Sequence, residues 1–238
     1  QRQMCIRDRY KKVRALSDSK HRASNLLYTY DSEANEWKSP ALIYWKDGIT
    51  PIDVYGYYPG VEYISDPTEY AYEVSHRQDI IPTDGTMSNY EASDFLWGKV
   101  AEVAPTEDVI TVNYAHRMAG VKVQLVEGRG FGSGEWASLT KSAQVDNTVR
   151  HATIDISDGV PVPTGEVDKS IIMMSQSNDT FRAVVVPQSV AAGLSLISVT
   201  IDGIAYSHKL DTPMKYNLGQ LHQFTITVNK RTGGDYEY

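Results

Sequence analysis

The segment SLISVTIDGIAYSHKL, residues 195–210, decides the fold class. Two runs of alternating apolar and polar residues flank Asp202-Gly203. A two-residue loop of this kind joins antiparallel strands when both its residues take positive φ, which Asp-Gly tolerates better than most pairs. The spacing therefore predicts a β-hairpin. The same period of two recurs outward along the chain, and period two is the mark of a half-buried strand.

Toward the C-terminus, QFTITVNK (223–230) is the last clear strand, and TPMKYNLGQLH (212–222) is expected to form no more than a short turn. Toward the N-terminus, GVKVQLVEG (120–128) sets Val121, Val123 and Leu125 inward and Lys122 and Gln124 outward. HATIDIS, SIIMMS and FRAVVVP continue the pattern. DFLWGKVAEV (94–103) alternates again, and VITVNYAH (109–116) is expected to follow it as a strand. PIDVYGYYP (51–59) places Ile52, Val54 and Gly56 on one face and Asp53, Tyr55 and Tyr57 on the other, with prolines closing both ends. NLLYTY (25–30) and ALIYW (41–45) are short strand candidates, and residues 60–92 form a long polar, Tyr-rich excursion. No stretch carries a sustained helical stripe. So many short strands with turn signals between them imply an all-β chain, too long for one small sandwich. The natural joint lies near His116–Gly120.

Composition narrows the function. The 238 residues are 41% hydrophobic, so a sizeable core can be buried. A net charge of −7 disfavours a nucleic-acid or anionic-membrane surface. No apolar run approaches the length of roughly 20 residues needed to span a bilayer as a helix. The first nine residues, QRQMCIRDR, back-translate to a transposase sequencing adapter read in frame, so residues 1–9 are expected to be an adapter scar outside the native protein. Without them the chain has no cysteine, and its charge becomes −9, from 20 basic and 29 acidic residues. The same reading predicts a gene fragment cut at its 5′ end, and an ending in GGDYEY that is cut as well.

The residues that could carry chemistry do not assemble into a recognised site. The six histidines (His21, His76, His116, His151, His208, His222) form no close-spaced pair of the kind metal binding requires, so no metal site is legible. EGRGFGSGE (127–135) fits neither a dinucleotide fingerprint nor a phosphate loop, and reads as a flexible loop with no cofactor role. Ser138 and Lys141 match the S-x-x-K of penicillin-recognising enzymes. That chemistry needs both residues on one buried helix, and none is expected here. DISDG (155–159) reads as an ordinary turn, short of the acidic ligands a calcium loop needs. Tyr55, Tyr57 and Tyr58 with Trp45 could form a sugar-stacking platform, or fill cores and interfaces instead. No catalytic residue is predicted.

Four segments in order resemble the fimbrillin-like (Mfa-like, type V pilin) family of Gram-negative anaerobes. They are SNLLYTYDSEANEW (24–37), PIDVYGYYP (51–59), DFLWGKVAEV with VITVNYAHRMAGVKVQL (94–125), and LGQLHQFTITVNK (218–230). This chain has Gly56 where the family usually has Ala, and Met118, Gly120, His222 and Phe224 at small or aromatic positions. The resemblance implies two transthyretin-like β-sandwich domains in tandem, over residues 10–117 and 118–238, the first lacking its opening strand. It implies a non-enzymatic surface subunit, exported as a lipoprotein to the outer membrane. Its partners would be other fimbrial subunits, joined by strand addition after a protease removes an N-terminal strand behind an Arg. The resemblance places the lipid-bearing cysteine, the first strand and the cleavage Arg ahead of Tyr10, outside this sequence; within it Arg14 and Arg22 are candidate cleavage positions only by residue type, and Arg22 is expected to precede the first clear strand, so that cutting there frees little structured chain. The competing reading is a surface glycan-binding lipoprotein on the same scaffold, with Tyr55 and Tyr57 as the contacts.

Overall fold

The computed structural model describes residues 11–17, 20–41, 44–45, 47–61, 63–83, 87–167, 170–177, 179–231 and 236–237. The adapter reading of residues 1–9 and the centre of the ALIYW strand candidate, Leu42 and Ile43, lie outside them. Within them the chain is all-β. Its strands are β1 (Lys11–Ser17), β2 (Lys20–Asp31), β3 (Glu36–Lys38), β4 (Ile52–Tyr58), β5 (Tyr70–Glu73), β6 (Leu96–Val103), β7 (Ala115–His116) and β8 (Ala119–Glu127). They continue as β9 (Lys141–Val145), β10 (His151–Asp155), β11 (Val160–Thr164), β12 (Ile171–Ile172), β13 (Met174–Gln176), β14 (Thr180–Val185), β15 (Gln188–Val190) and β16 (Ser195–Ile201). The last are β17 (Ile204–Lys209), β18 (Met214–Tyr216), β19 (Leu221–Lys230) and β20 (Tyr236–Glu237). Two four-residue helices, α1 (Asn89–Ala92) and α2 (Glu135–Ser138), interrupt them. A capping box closes the start of α1: the Ser88 hydroxyl accepts from the Glu91 N–H, and the Glu91 carboxylate accepts from the Ser88 N–H.

The Asp202-Gly203 hairpin is present as expected. Both residues take positive φ, 48° and 82°, and Ile201 pairs with Ile204. β16 and β17 belong to a four-stranded sheet ordered β12-β9-β16-β17. A five-stranded sheet, β13-β14-β8-β19-β20, supplies the facing layer. Val121, Val123 and Leu125 of β8 point inward as their alternation predicts, and they join Phe181, Ala183, Val199 and Ile201 in the core. Asp146, just after β9, is buried among hydroxyls. It accepts from Ser170 (2.7 Å), Ser195 (2.8 Å) and Ser198, tying β16 and the segment before β12 to one carboxylate.

A six-stranded sheet, β3-β2-β1-β4-β6-β7, occupies the N-terminal part. The three-stranded sheet β11-β10-β5 packs against it. The hairpin of β10 and β11 thus comes from beyond residue 118 and pairs with β5 from before it, with Ala152 opposite Tyr72. Trp97 fixes the contact by donating its indole N–H to the Ile156 carbonyl at 2.8 Å. Gly159 lies directly against that indole with a φ of 67°, and a Cβ there would sit 2.3 Å from the ring.

β4 is covered on both faces. Ile52 and Val54 pack with Trp45, Val103, Ile110 and Val112 on one side, while Tyr55 and Tyr57 enter the main core on the other. This corrects the reading of VITVNYAH as a strand: only Ala115–His116 is paired, and Ile110 and Val112 lie across the sheet instead. The reason is a pair of glycines. Gly56 of β4 and Gly98 of β6 stand opposite each other in register. A Cβ on Gly56 would lie 2.0 Å from the Tyr114 hydroxyl, and one on Gly98 would lie 2.2 Å from the Asn113 carbonyl. With no side chains there, residues 112–114 can press onto the sheet. The TPMKYNLGQLH segment also differs from expectation, because Met214–Tyr216 pairs with Gln188–Val190 as a strand.

The two glycines differ in what blocks them, which gives a graded test. Gly98→Ala meets backbone and should destabilise the protein by about 2 kcal/mol or more. Gly56→Ala meets a side chain that can turn aside and should cost less, and combining it with Tyr114→Ala should give less than the sum of the two single losses. Urea unfolding of the four variants checks the order.

Candidate functional site: an inner lane in the N-terminal sheet

The feature that bears on function is β1. It is the first described strand in the chain, yet it lies inside the six-stranded sheet, paired antiparallel to β2 on one side and β4 on the other. Its β4 register is continuous, from Lys12 opposite Tyr57 to Leu16 opposite Asp53. Its β2 register slips twice. Val13 faces Leu26 and Ala15 faces Ala23, which leaves an extra residue on β2 near Asn25, whose φ is 63°. Ala15 faces Ala23 and Leu16 faces His21, which leaves Arg22 as a second extra residue. Such bulges bend a strand and drop a residue out of the ladder.

The two sequence-derived cleavage candidates therefore fall in distinct places. Arg14 lies within β1, opposite Tyr55. Arg22 lies in β2 at a bulge. The expectation that little structured chain precedes Arg22 is corrected, since all of β1 does.

Tyr55 and Tyr57 do not form a sugar platform. They are only 4% and 2% exposed. Tyr57 stacks on Phe95 with centroids 6.1 Å apart, meets Tyr70 at 5.9 Å, and donates its hydroxyl to the Asn25 side chain. Burial pushes the Tyr57 phenol well above its ordinary range and Tyr70 up to about 12. Alternation on β4 correctly separated these rings from Ile52 and Val54. It could not reveal that both faces are covered.

At the rim of the lane Asp53 pairs with Lys99 at 2.8 Å and accepts from the Tyr55 hydroxyl at 3.0 Å and the Glu102 N–H at 2.9 Å. The Lys99 hydrogen bond is the largest influence holding the Asp53 carboxyl below its ordinary value.

The other sequence candidates are engaged structurally. The Ser138 hydroxyl donates to the Glu135 carbonyl at 2.7 Å. The Lys141 ammonium donates to the Trp136 carbonyl at 2.6 Å, lies 4.3 Å from that indole, and sits 3.2 Å from Asp179. Ser138 closes α2 whereas Lys141 opens β9, so no shared helix face joins them. Asp155 and Asp158 accept N–H groups of their own turn, from Ser157 and Val160. In the glycine-rich loop Phe131 packs between Trp136 and Tyr236. A pair that spacing did not disclose is His116 with Asp94, joined at 2.7 Å from 22 residues apart. It sits at the joint between the halves, where the neighbouring residue Arg117 stacks its guanidinium 4.4 Å from the Trp97 ring.

An all-β scaffold whose first described strand lies inside a sheet is the class this architecture defines. A sequence profile described as fimbrillin-like matches residues 9–237, and the chain belongs to the fimbrillin-like family. No curated protein matches it. Among solved structures it is similar to a candidate cell adhesion protein from Bacteroides uniformis (TM-score 0.67, 16% identity, covering 97% of this chain and 89% of that one). A second candidate cell adhesion protein, from Bacteroides ovatus, gives a TM-score of 0.68 at 14% identity, covering 98% of this chain and 86% of that one. A fimbrial protein from Bacteroides ovatus gives 0.58 at 13% identity, and this chain, covered to 98%, spans 48% of it. These similarities establish the fold.

The His116–Asp94 pair should make the joint pH-sensitive. The Asp94 hydrogen bond raises His116 above its ordinary 6.5. A raised pKa adds stability that is fully present below the unfolded-state value and is lost as pH rises through the folded-state value. The thermal midpoint should therefore fall slightly between pH 6 and pH 8, by a small amount because the ring is half exposed. Asp94→Asn should abolish that slope.

Proposed function

We propose that the chain is a non-enzymatic structural or adhesive subunit of a cell-surface fimbria, assembled by strand addition between subunits. The observation that carries this reading is the position of β1. β1 is the first described strand, and it stands inside its sheet and not at an edge. Here it separates β2 from β4 and supplies hydrogen bonds to both. Removing it would leave two facing ladders of unpaired N–H and C=O groups, a lane that one extended segment from a neighbour fills. Backbone pairing would supply the strength, and alternate side chains the register.

Arg22 suits such a cut better than Arg14. Cleavage behind Arg22 would free the whole of β1, and the bulge already holds that residue out of the ladder. Cleavage behind Arg14 would leave the second half of β1 in place. The wider reading is that of an exported lipoprotein of the outer membrane. Its architecture is two transthyretin-like sandwiches over 10–117 and 118–238, with the β10–β11 hairpin lent to the first. The family supports assembly with other fimbrial subunits.

The intact gene, tagged and expressed in its host, tests the proposal. The product should appear in sheared filaments or outer-membrane fractions, and Arg22→Ala should reduce filament incorporation strongly while Arg14→Ala does not. Absence of the product from both fractions would overturn the fimbrial reading. Incorporation unaffected by Arg22→Ala would overturn the cleavage position.

A further inference from the structure

Lys99, Arg150, Lys141 and Lys230 each hold a carboxylate, those of Asp53, Glu73, Asp179 and Glu135. Lys122 of β8 and Arg182 of β14 hold none among the described residues, in a chain whose net charge is −7. The two stand directly opposite each other in register, on inner strands of the five-stranded sheet. Val121, Val123, Phe181 and Ala183 turn to the core, so by alternation Lys122 and Arg182 turn to the other face, where both are half-buried. Like charges opposed across a ladder repel. The pair therefore costs stability unless an anion lies against it.

Two residues along the same strands, about 7 Å away, Gly120 stands opposite Val184. These two line a cavity of about 200 Å³, which Tyr90 and the hydrogen-bonded Asp94–His116 pair line as well. Tyr90 links the cavity to the cations, because the Arg182 guanidinium lies against its phenol. The Arg182 Nε is buried and has no hydrogen-bond partner. A buried guanidinium nitrogen left unpaired is costly, and a carboxylate is the group its planar fork matches. A cation pair lacking its anion thus adjoins an open space with polar and aromatic walls.

We propose that this face binds a hexuronic acid, one acidic ring of a polysaccharide, with the ring in the cavity and its carboxylate on Lys122 and Arg182. The cavity is small beside those that take drug-sized ligands and suits a single sugar ring. The Asp94–His116 pair supplies an acceptor and a donor for ring hydroxyls, and Tyr90 an aromatic wall for the C–H edge of the ring. The carboxylates nearby are engaged, Asp94 by His116 and Glu91 by the Ser88 cap. An acidic side chain from a protein partner would satisfy the cations and leave the cavity empty, so the two features together favour a sugar. Both cations stand on strands already paired on each side. The site lies apart from the β1 lane and does not depend on the fimbrial reading.

Amide chemical-shift titration of the purified chain at low salt tests it. The probes are methyl glucuronide and methyl galacturonide, and the controls are methyl glucoside, acetate and a blocked glutamyl peptide. At least one uronide should bind saturably in the millimolar range and shift the amides of Gly120, Lys122, Arg182 and Val184. Each control should bind about tenfold more weakly or not at all. Lys122→Gln and Arg182→Gln should each weaken the uronide by about tenfold, whereas Lys122→Arg should keep it. Should Arg182→Gln fail to fold, Lys122→Gln decides. No saturation by either uronide, or binding unchanged in a folded Gln variant, would overturn the proposal. Equal binding of acetate or the glucoside would overturn it by reducing the site to charge or cavity alone, and equal binding of the peptide would overturn it in favour of a protein partner.

Discussion

The architecture of the N-terminal part depends on one close approach. Gly56 and Gly98, opposed across β4 and β6, leave a bare strip of sheet on which residues 112–114 lie. The segment brings Ile110 and Val112 over Ile52 and Val54 and so closes a second, smaller core outside the main one. β4 is then buried on both faces, a situation usual for strands in the middle of layered sheets and rare for a strand near an edge. A strand buried on two faces has its register fixed strongly, because a slip of one residue would exchange both sets of side chains.

That rigidity sets the conditions for β1. Its partner β4 is held from above by the 110–114 segment and from below by Tyr55, Tyr57, Phe95 and Trp97. β2, by contrast, is bulged at Arg22 and near Asn25. The lane thus has one firm wall and one irregular wall. Tyr57 links the two walls through its hydrogen bond to Asn25.

The halves of the molecule are joined more closely than a linker would join them. The β10–β11 hairpin pairs with β5, Trp97 bonds to Ile156, and the buried Gln78 side chain exchanges hydrogen bonds with the backbone of Val184 at 2.7 and 2.8 Å. The buried polar groups among them are satisfied by specific partners, which favours one relative placement of the layers over others.

Much of this was legible in the residues. Period-two alternation located β8, β14, β16 and the hairpin at Asp202-Gly203, because each has one face in a core and a local turn chemistry that fixes its register. Ordered motifs carried the family. What alternation could not supply was partnership across distance. Tyr55 and Tyr57 read equally well as exposed rings or buried ones until a second layer was seen to cover them. Ile110 and Val112 carry strand-like residues yet cross the sheet, because tertiary packing on two glycines outweighs local propensity. Lys11–Ser17 shows too little alternation to declare itself, and its identity as an inner strand comes wholly from β2 and β4. The sequence by itself determined the strands, their apolar faces and the tightest turn, all of which follow from local sterics and hydrophobic period. Only the tertiary structure decided which strand stands inside, since a strand's hydrogen-bonding neighbours are chosen by the whole fold and leave no mark at short range.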